Sequence, residues 1–405
     1  MLDNIPGALR RRLGLPLLVL YGTGITVGAG IYVLIGSVAG HAGLYAPWAF
    51  VFAALVMALT LGSYAELCTR YPVSAGEAAY IKAAFGSRLL STVTGLLTIA
   101  VGVISSAAVS LGAAGYIEQF VDLPQSLIVV VVVGALGLVA AWGILESVLI
   151  ASLFTLIEVG GLLIIIVAAT RADVPAGAAL LNLPPLEFNT MSGIAFASLL
   201  AFFAFIGFED LVNVVEEAKA PHRDLPIAMV LTLVITTLLY VAISAIAVAA
   251  VPVARLAASP APLSEVFREV AQVSPATISA IAIVATLNTI LAEMTMAARV
   301  IYGLARQGDL PRVLGQVHAK TATPLLATAC IVVVVLALAM TVPFVRLAES
   351  TSIATLVVFA LVNIALLRLR WRGVPAHGKV FSVPIWVPIA GLVTCAIMIG
   401  SAVFG

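Results

Sequence analysis

Charge is scarce in this chain. Asp, Glu, Lys and Arg supply 10% of its 405 residues, while 62% are hydrophobic. That is too little charge to wet the surface of a soluble protein of this length, so the composition points to a polytopic membrane protein. The net charge is +1, which gives no electrostatic reason to expect nucleic acid as a partner. Cysteine is scarce too. Cys68, Cys330 and Cys395 sit in or beside apolar runs without CxxC spacing, so they read as packing residues and not as a disulfide frame or metal site. HExxH, GxSxG, a paired Asp motif and cofactor motifs are missing. The expectation is no enzyme, no metal and no cofactor. A cleavable signal is not expected either, because the first apolar run is too long for a signal core.

What the chain has is eleven apolar runs long enough to span about 30 Å of hydrocarbon. They lie at roughly 15–37, 46–67, 88–117, 125–143, 147–169, 190–214, 226–251, 275–304, 324–343, 350–368 and 383–404. A helix satisfies its own backbone in lipid, so each run is expected as a helix of an all-α fold. Fifteen of the twenty Lys and Arg fall on the side of the first residue: Arg10, Arg11, Arg12, Arg70, Lys82, Arg88, Lys219, Arg223, Arg306, Arg312, Lys320, Arg368, Arg370, Arg372 and Lys379. Arg171, Arg255, Arg268 and Arg346 fall on the other side, and Arg299 lies within a run. That asymmetry predicts a multi-pass protein of the cell (inner) membrane with a cytoplasmic N-terminus. Residues 1–405 read as a single transmembrane domain.

The first run carries glycines at 22, 24, 28, 30 and 36, where a plain membrane helix would avoid them. Gly28-Ala29-Gly30 interrupts it, and Gly207 interrupts the sixth run within "AFFAFIGFEDL". Runs one and six open two five-helix halves, about 15–169 and 190–368, with an extra helix at about 383–404. Matching breaks in two halves are the sequence sign of an inverted-repeat transporter. A break frees N–H and C=O groups that lipid cannot satisfy, so they must line a cavity and meet water or a ligand. Half-helix N-termini favour an anion and freed carbonyls favour an ammonium. Together they suit an α-amino acid. Close helix packing is the other use of such glycines.

Four stretches resemble, in order, the amino acid–polyamine–organocation transporters, most closely the bacterial relatives of the cationic amino acid transporters. They are "GTGITVGAGIYVLIG" (22–36), "YAELCTRYPVSAGEAAYIKAAFG" (64–86), "FFAFIGFEDLVNVVEEAKAPHRDLPIAM" (202–229) and "RVIYGLARQGDLPRVLGQVHAKTATP" (299–324). The resemblance implies a 5+5 inverted repeat like that of the bacterial leucine transporter, with broken helices 1 and 6. It implies secondary active transport of α-amino acids by alternating access. It also implies that backbone N–H groups of Gly28, Ala29 and Gly30 hold the substrate carboxylate. Carbonyls of Thr26, Phe203 and Ile206 take the amine, Gly207 marks the second break, and the Phe203 ring closes over the substrate.

Ionisable side chains inside apolar runs cost at least about 2.5 kcal/mol each on insertion scales, so they read as functional. Glu158 lies mid-run in "FTLIEVGGLL". By the resemblance it stands where some proton-coupled relatives carry a lysine, which makes it the expected proton carrier. A carboxylate can also ligate sodium. Sodium sites of this fold take hydroxyls from helix 8, and the matching stretch, Ala297-Ala298, has none, which tilts the reading toward protons. Glu293 in "ILAEMTMAAR" falls in the side-chain pocket wall by the same alignment, and a carboxylate there suits a cationic substrate. A coupling role, or a pair with Arg299, is the other use, although six residues on one helix put the two on nearly opposite faces. Glu209 is a candidate proton relay, and Asp210 beside it reads as structural. Glu66, Arg70, Glu216, Glu217, Lys219, Arg223 and Arg306 are expected as gate ion pairs or plain topology signals. Ser105, Ser106, Thr351 and Ser352 read as helix glue. Symport and exchange share this architecture, and neutral amino acids or polyamines stay open as substrates beside cationic ones. Oligomeric state is not legible.

Overall fold

The computed structural model describes residues 13–72, 76–142, 148–318, 321, 323–375 and 380–404. The charges expected to orient the chain at Arg10, Arg11, Arg12, Lys320 and Lys379 lie outside them. The described residues form sixteen α-helices and no strand. The first half comprises α1 (Leu15–Val27), α2 (Gly30–Ala42), α3 (Ala46–Arg70), α4 (Gly76–Phe85), α5 (Arg88–Ile117), α6 (Gln125–Trp142), α7 (Val148–Arg171) and α8 (Ala176–Leu181). The second comprises α9 (Phe188–Phe205), α10 (Pro221–Ala250), α11 (Val253–Ala258), α12 (Pro262–Ala271), α13 (Ala276–Gln307), α14 (Leu325–Thr341), α15 (Phe344–Trp371) and α16 (Trp386–Phe404). Eight segments are long and apolar enough to cross a membrane, and Leu15–Val27, Leu325–Thr341 and Trp386–Ala402 are shorter apolar helices beside them.

Each of the eleven expected runs holds a helix, and local chemistry sets the ends. Pro16, Pro47, Pro221 and Pro262 stand in the first turns of α1, α3, α10 and α12, where proline forfeits no hydrogen bond. The tenth run begins earlier than its expected start at 350, at Phe344. Its first turns hold Arg346 and Glu349, which pair with each other at 2.8 Å.

The first and sixth runs are both broken. The first splits into α1 and α2 at Gly28-Ala29. The sixth ends as α-helix at Phe205, passes through extended Ile206 and Gly207, and resumes as a 3-10 helix over Phe208–Glu217. Gly207 has φ of 125°, a conformation that L side chains rarely adopt. The two breaks cross in contact. A Cβ on Gly30 would lie 2.5 Å from Ala204 Cα, and one on Gly207 would lie 2.9 Å from the Ile25 carbonyl oxygen. Glycine therefore serves both expected uses here, breaking the helix and letting backbones touch. At the end of the broken sixth run the chain is stapled to the start of the first: Leu13 N–H donates to Glu217 O at 3.0 Å, and Lys219 N–H to Leu13 O at 2.8 Å.

Around this pair stand α3 and α10 on one side, with α5, α13 and α15 forming a long-packed frame. Glu66, fully buried on α3, binds Arg70 at 2.9 Å and Arg370 of α15. It also accepts the Val383 N–H at 3.0 Å and so fastens the segment leading into α16.

Candidate functional site

The polar groups of the two breaks are not left open. Tyr240, buried on α10, reaches both. Its hydroxyl lies 2.7 Å from Thr26 O, 3.2 Å from Val27 O and 2.8 Å from Ala204 O. One hydroxyl carries one proton, so three carbonyls share a single donor. Phe50 and Phe205 pack edge-on or tilted against the Tyr240 ring, at 5.6 and 5.0 Å between centroids, and hold it. Of the carbonyls expected to take an amine, Thr26 O is in this cluster, while Phe203 O accepts the Ile206 N–H at 3.2 Å. The Phe203 side chain is buried beside them, at 5% exposure.

Ala29, the N-cap residue of α2, has no side-chain acceptor of its own, and the first turn holds no acid. Gly28 N–H returns to Gly24 O at 3.0 Å, and Ala29 N–H donates to Thr289 Oγ1 of α13 at 3.1 Å. Thr289 comes this close because residue 28 has no Cβ; one would lie 2.8 Å from its hydroxyl. The helix dipole at this end favours an anion, while Gly28 N–H and Ala29 N–H already have partners within the protein.

Glu158 on α7 is fully buried. Asn288 Nδ2 donates to its Oε1 at 3.3 Å, and its Oε2 lacks a partner. Its backbone carbonyl accepts the Tyr32 hydroxyl at 2.6 Å, and Tyr116 in turn donates to Tyr32 O at 2.6 Å. Thus Glu158 is tied to α2 and α13, next to the first break. The residues of α13 that face this break are Asn288 and Thr289, two turns before the expected Ala297-Ala298, which are buried elsewhere in the packing. Both carry a side-chain oxygen, unlike Ala297 and Ala298.

Glu209 and Glu293 are near enough to interact electrostatically. Glu209 Oε2 accepts the freed Gly207 N–H at 2.9 Å and so caps the second break. Glu293 lies against Gly102 of α5, where a Cβ would stand 3.1 Å from its Oε2, an oxygen shut from solvent without a partner. Arg299 is exposed and makes no ion pair with it among the described residues. Glu77, Glu209, Asp210 and Glu293 are close enough to interact electrostatically. Tyr64 donates to Glu77 at 3.0 Å. Glu77 lies on α4, outside the candidate spans, and burial raises its carboxyl above the ordinary range, opposed by hydrogen bonds from its own backbone and Tyr64.

Of the expected gate residues, Glu66 and Arg70 form a buried cluster with Arg370. Glu217 and Lys219 contribute backbone groups to the Leu13 staple. Ser106 and Thr351 bond their own helices, and Ser352 donates to Leu199 O at 2.8 Å, the expected glue between α15 and α9. Tyr240, Tyr32, Asn288 and Thr289 escaped the sequence reading. The available signal was a polar side chain in mid-run, in "TLLYVAIS" and "TLNTIL". Two surface concavities of ≈ 330 and ≈ 260 Å³ have apolar linings on α1, α7 and α10 and on α5, α13 and α14; neither is lined by residues of the breaks. The Tyr240 hydroxyl touches carbonyls of both breaks, and the Thr289 hydroxyl holds the Ala29 N–H of the first.

Residues 13–405 match the model of the amino acid permease family. The chain is 31% identical to the branched-chain amino acid permease BcaP of Bacillus subtilis (strain 168), over 97% of this chain and 88% of the relative. It is also 31% identical to the vacuolar cationic amino acid transporter 4 of Arabidopsis thaliana, over 92% of this chain and 65% of that longer protein. Identity to the methylthioribose transporter of Bacillus subtilis (strain 168) is 26%, over 94% of this chain and 85% of the relative. With its apolar helices and its two broken runs, the chain belongs to the amino acid permease family of multi-pass membrane transporters.

Proposed function

We propose that the protein is a secondary active transporter of α-amino acids that works by alternating access on a 5+5 inverted repeat. The observation that carries the reading is the meeting of two broken helices around carbonyls that share the Tyr240 hydroxyl and a helix N-terminus whose Ala29 N–H is held by a neutral hydroxyl. The substrate carboxylate binds the N–H groups of Gly28, Ala29 and Gly30. Its ammonium takes the carbonyls now shared at Tyr240, with Phe203 and Ile206 alongside. The Phe203 ring closes over it. Glu209 releases or recaps the Gly207 N–H as the second break rearranges. The broken helices, α3 and α10 rock as one body, joined at the Leu13 staple, against the frame of α5, α13 and α15. Positive charge on the first residue's side supports a cytoplasmic N-terminus in a bacterial-type inner membrane.

Proton symport is the favoured mode, with Glu158 carrying the proton. Sodium coupling is the second reading, favoured by the oxygens of Glu158, Asn288 and Thr289 beside the first break. Exchange of amino acids uses the same geometry. Glu293, with an unpartnered oxygen among acidic neighbours, supports a cationic side chain. The relatives' names span branched-chain and cationic amino acids as well as methylthioribose, so neutral substrates stand next.

The test is uptake of labelled arginine and alanine into proteoliposomes, with and without an inward proton gradient, in sodium-free buffer. Gradient-driven uptake that Glu158→Gln abolishes while counterflow persists is the expected result. A requirement for sodium, or for internal amino acid, overturns proton symport. Glu293→Gln should lose arginine and keep alanine.

A further inference from the structure

The interactions of Glu158 and of Ala29 close into a ring. Ala29 N–H donates to Thr289 Oγ1 (3.1 Å), Thr289 adjoins Asn288, Asn288 Nδ2 donates to Glu158 Oε1 (3.3 Å), and Glu158 O accepts the hydroxyl of Tyr32, back on α2 (2.6 Å). Three helices, α2, α7 and α13, are threaded by it. Thr289 sends its own proton to Ala285 O at 3.0 Å, so toward Ala29 it acts only as an acceptor. It stands where an oxygen of a substrate carboxylate would stand. A neutral hydroxyl is a weaker acceptor than a carboxylate, so an arriving anion displaces it. The next residue on the same rigid helix holds the carboxyl of Glu158.

We infer that Thr289 and Asn288 are positioning residues that link carboxylate binding at the first break to the protonation of Glu158. This rests on the amino acid transport proposed above. In the empty site Thr289 occupies the Ala29 N–H, and Asn288 keeps Glu158 facing α13. Binding of the carboxylate expels the Thr289 hydroxyl. The helix face carrying both residues then shifts, and Asn288 changes its hold on Glu158. The other ionisable groups interacting with Glu158 are Tyr32 of α2 and Tyr240 of α10; among the described residues no Lys or Arg pairs with it. Hence Asn288 is the lever on this carboxyl, and no neighbouring cation competes for that role.

The experiment uses the full chain in proteoliposomes, with labelled arginine and alanine as probes, for Thr289→Val, Thr289→Ser and Asn288→Leu. Thr289→Val removes the competing acceptor, so the apparent KM in counterflow is expected to fall about tenfold, the value of one hydrogen bond. Its gradient-driven accumulation falls at the same time. Thr289→Ser restores both values. Asn288→Leu keeps the counterflow KM and loses the dependence of uptake on external pH. A structural role would weaken both modes together and would not tighten KM. Should Thr289→Val not fold, Thr289→Ser and Asn288→Leu still decide: wild-type pH dependence in Asn288→Leu overturns the inference. So does an unchanged KM in a folded Thr289→Val. If the wild type moves neither probe, the transport reading itself fails, a different outcome from wild-type transport with unaltered variants.

Discussion

Removing the carboxylate of Glu66 should destabilise the protein more than almost any other single change outside the site. Its side chain is 0% exposed, and those of Arg70 and Arg370 are 13% and 16% exposed. It accepts Arg70 Nε at 2.9 Å, Arg370 Nε at 3.1 Å, a second Arg370 nitrogen, and the Val383 N–H at 3.0 Å. Glu66→Ala leaves two guanidinium groups facing each other without a counter-charge. Breaking a buried pair in this way costs about 3–5 kcal/mol. Glu66→Gln keeps an acceptor for Val383 and should cost about half as much, because the charge is lost but the hydrogen bond survives. Thermal unfolding of the detergent-purified protein reads the difference, and protease cleavage between residues 372 and 386 reads whether α16 has come loose. Replacing all three side chains by apolar residues of similar size should recover most of the loss, since a buried ion pair is worth little against good packing. A Glu66→Ala protein that melts with the wild type refutes the reasoning, and so does a triple variant no better than the single one.

Three further outcomes follow from particular contacts. Gly207→Ala meets a φ of 125° and a Cβ 2.9 Å from the Ile25 carbonyl oxygen, so counterflow should be lost and stability should drop by about 1–3 kcal/mol on thermal unfolding. Tyr240→Phe leaves Thr26 O and Ala204 O without their shared donor, a cost of about 1–3 kcal/mol in the empty protein. Saturating alanine should restore part of that loss in the same melt. Burial raises the Glu77 carboxyl, so its neutral form suits the fold. The stability it contributes is present at low pH and fades as pH climbs past the ordinary carboxylate range through the raised value. Glu77→Gln should flatten that slope in melts across pH.

Much of the architecture was legible because lipid simplifies the code. A run that cannot hydrogen-bond to solvent favours a helix, so run length alone located a helix in each of the eleven runs. The breaks were legible because glycines stand at matching places in the first runs of the two halves, in "GAG" and "IGF", a pattern that close packing alone does not call for. Short helices were not. α4 and α12 lie in segments that read as loop, and they exist because apolar residues such as Tyr80, Leu263 and Phe267 find the bundle to pack against. Contacts between runs escaped as well. Thr289 and Asn288 look like ordinary mid-helix polar residues until α13 is laid against the first break. Spacing along one helix carries no record of which neighbour it faces.

The most direct measurement of the central claim asks whether both ends of an amino acid are read at the breaks. Labelled alanine and arginine would be challenged in counterflow by the unlabelled amino acids, by their methyl esters, and by the amines left after removal of the carboxylate. A carboxylate site at the N-terminus of α2 and an amine site at the carbonyls around Tyr240, as proposed, predict that only the intact amino acids compete well. Equal competition by ester or amine would mean that the carboxylate is not bound at Gly28, Ala29 and Gly30, and the site would have to be sought elsewhere.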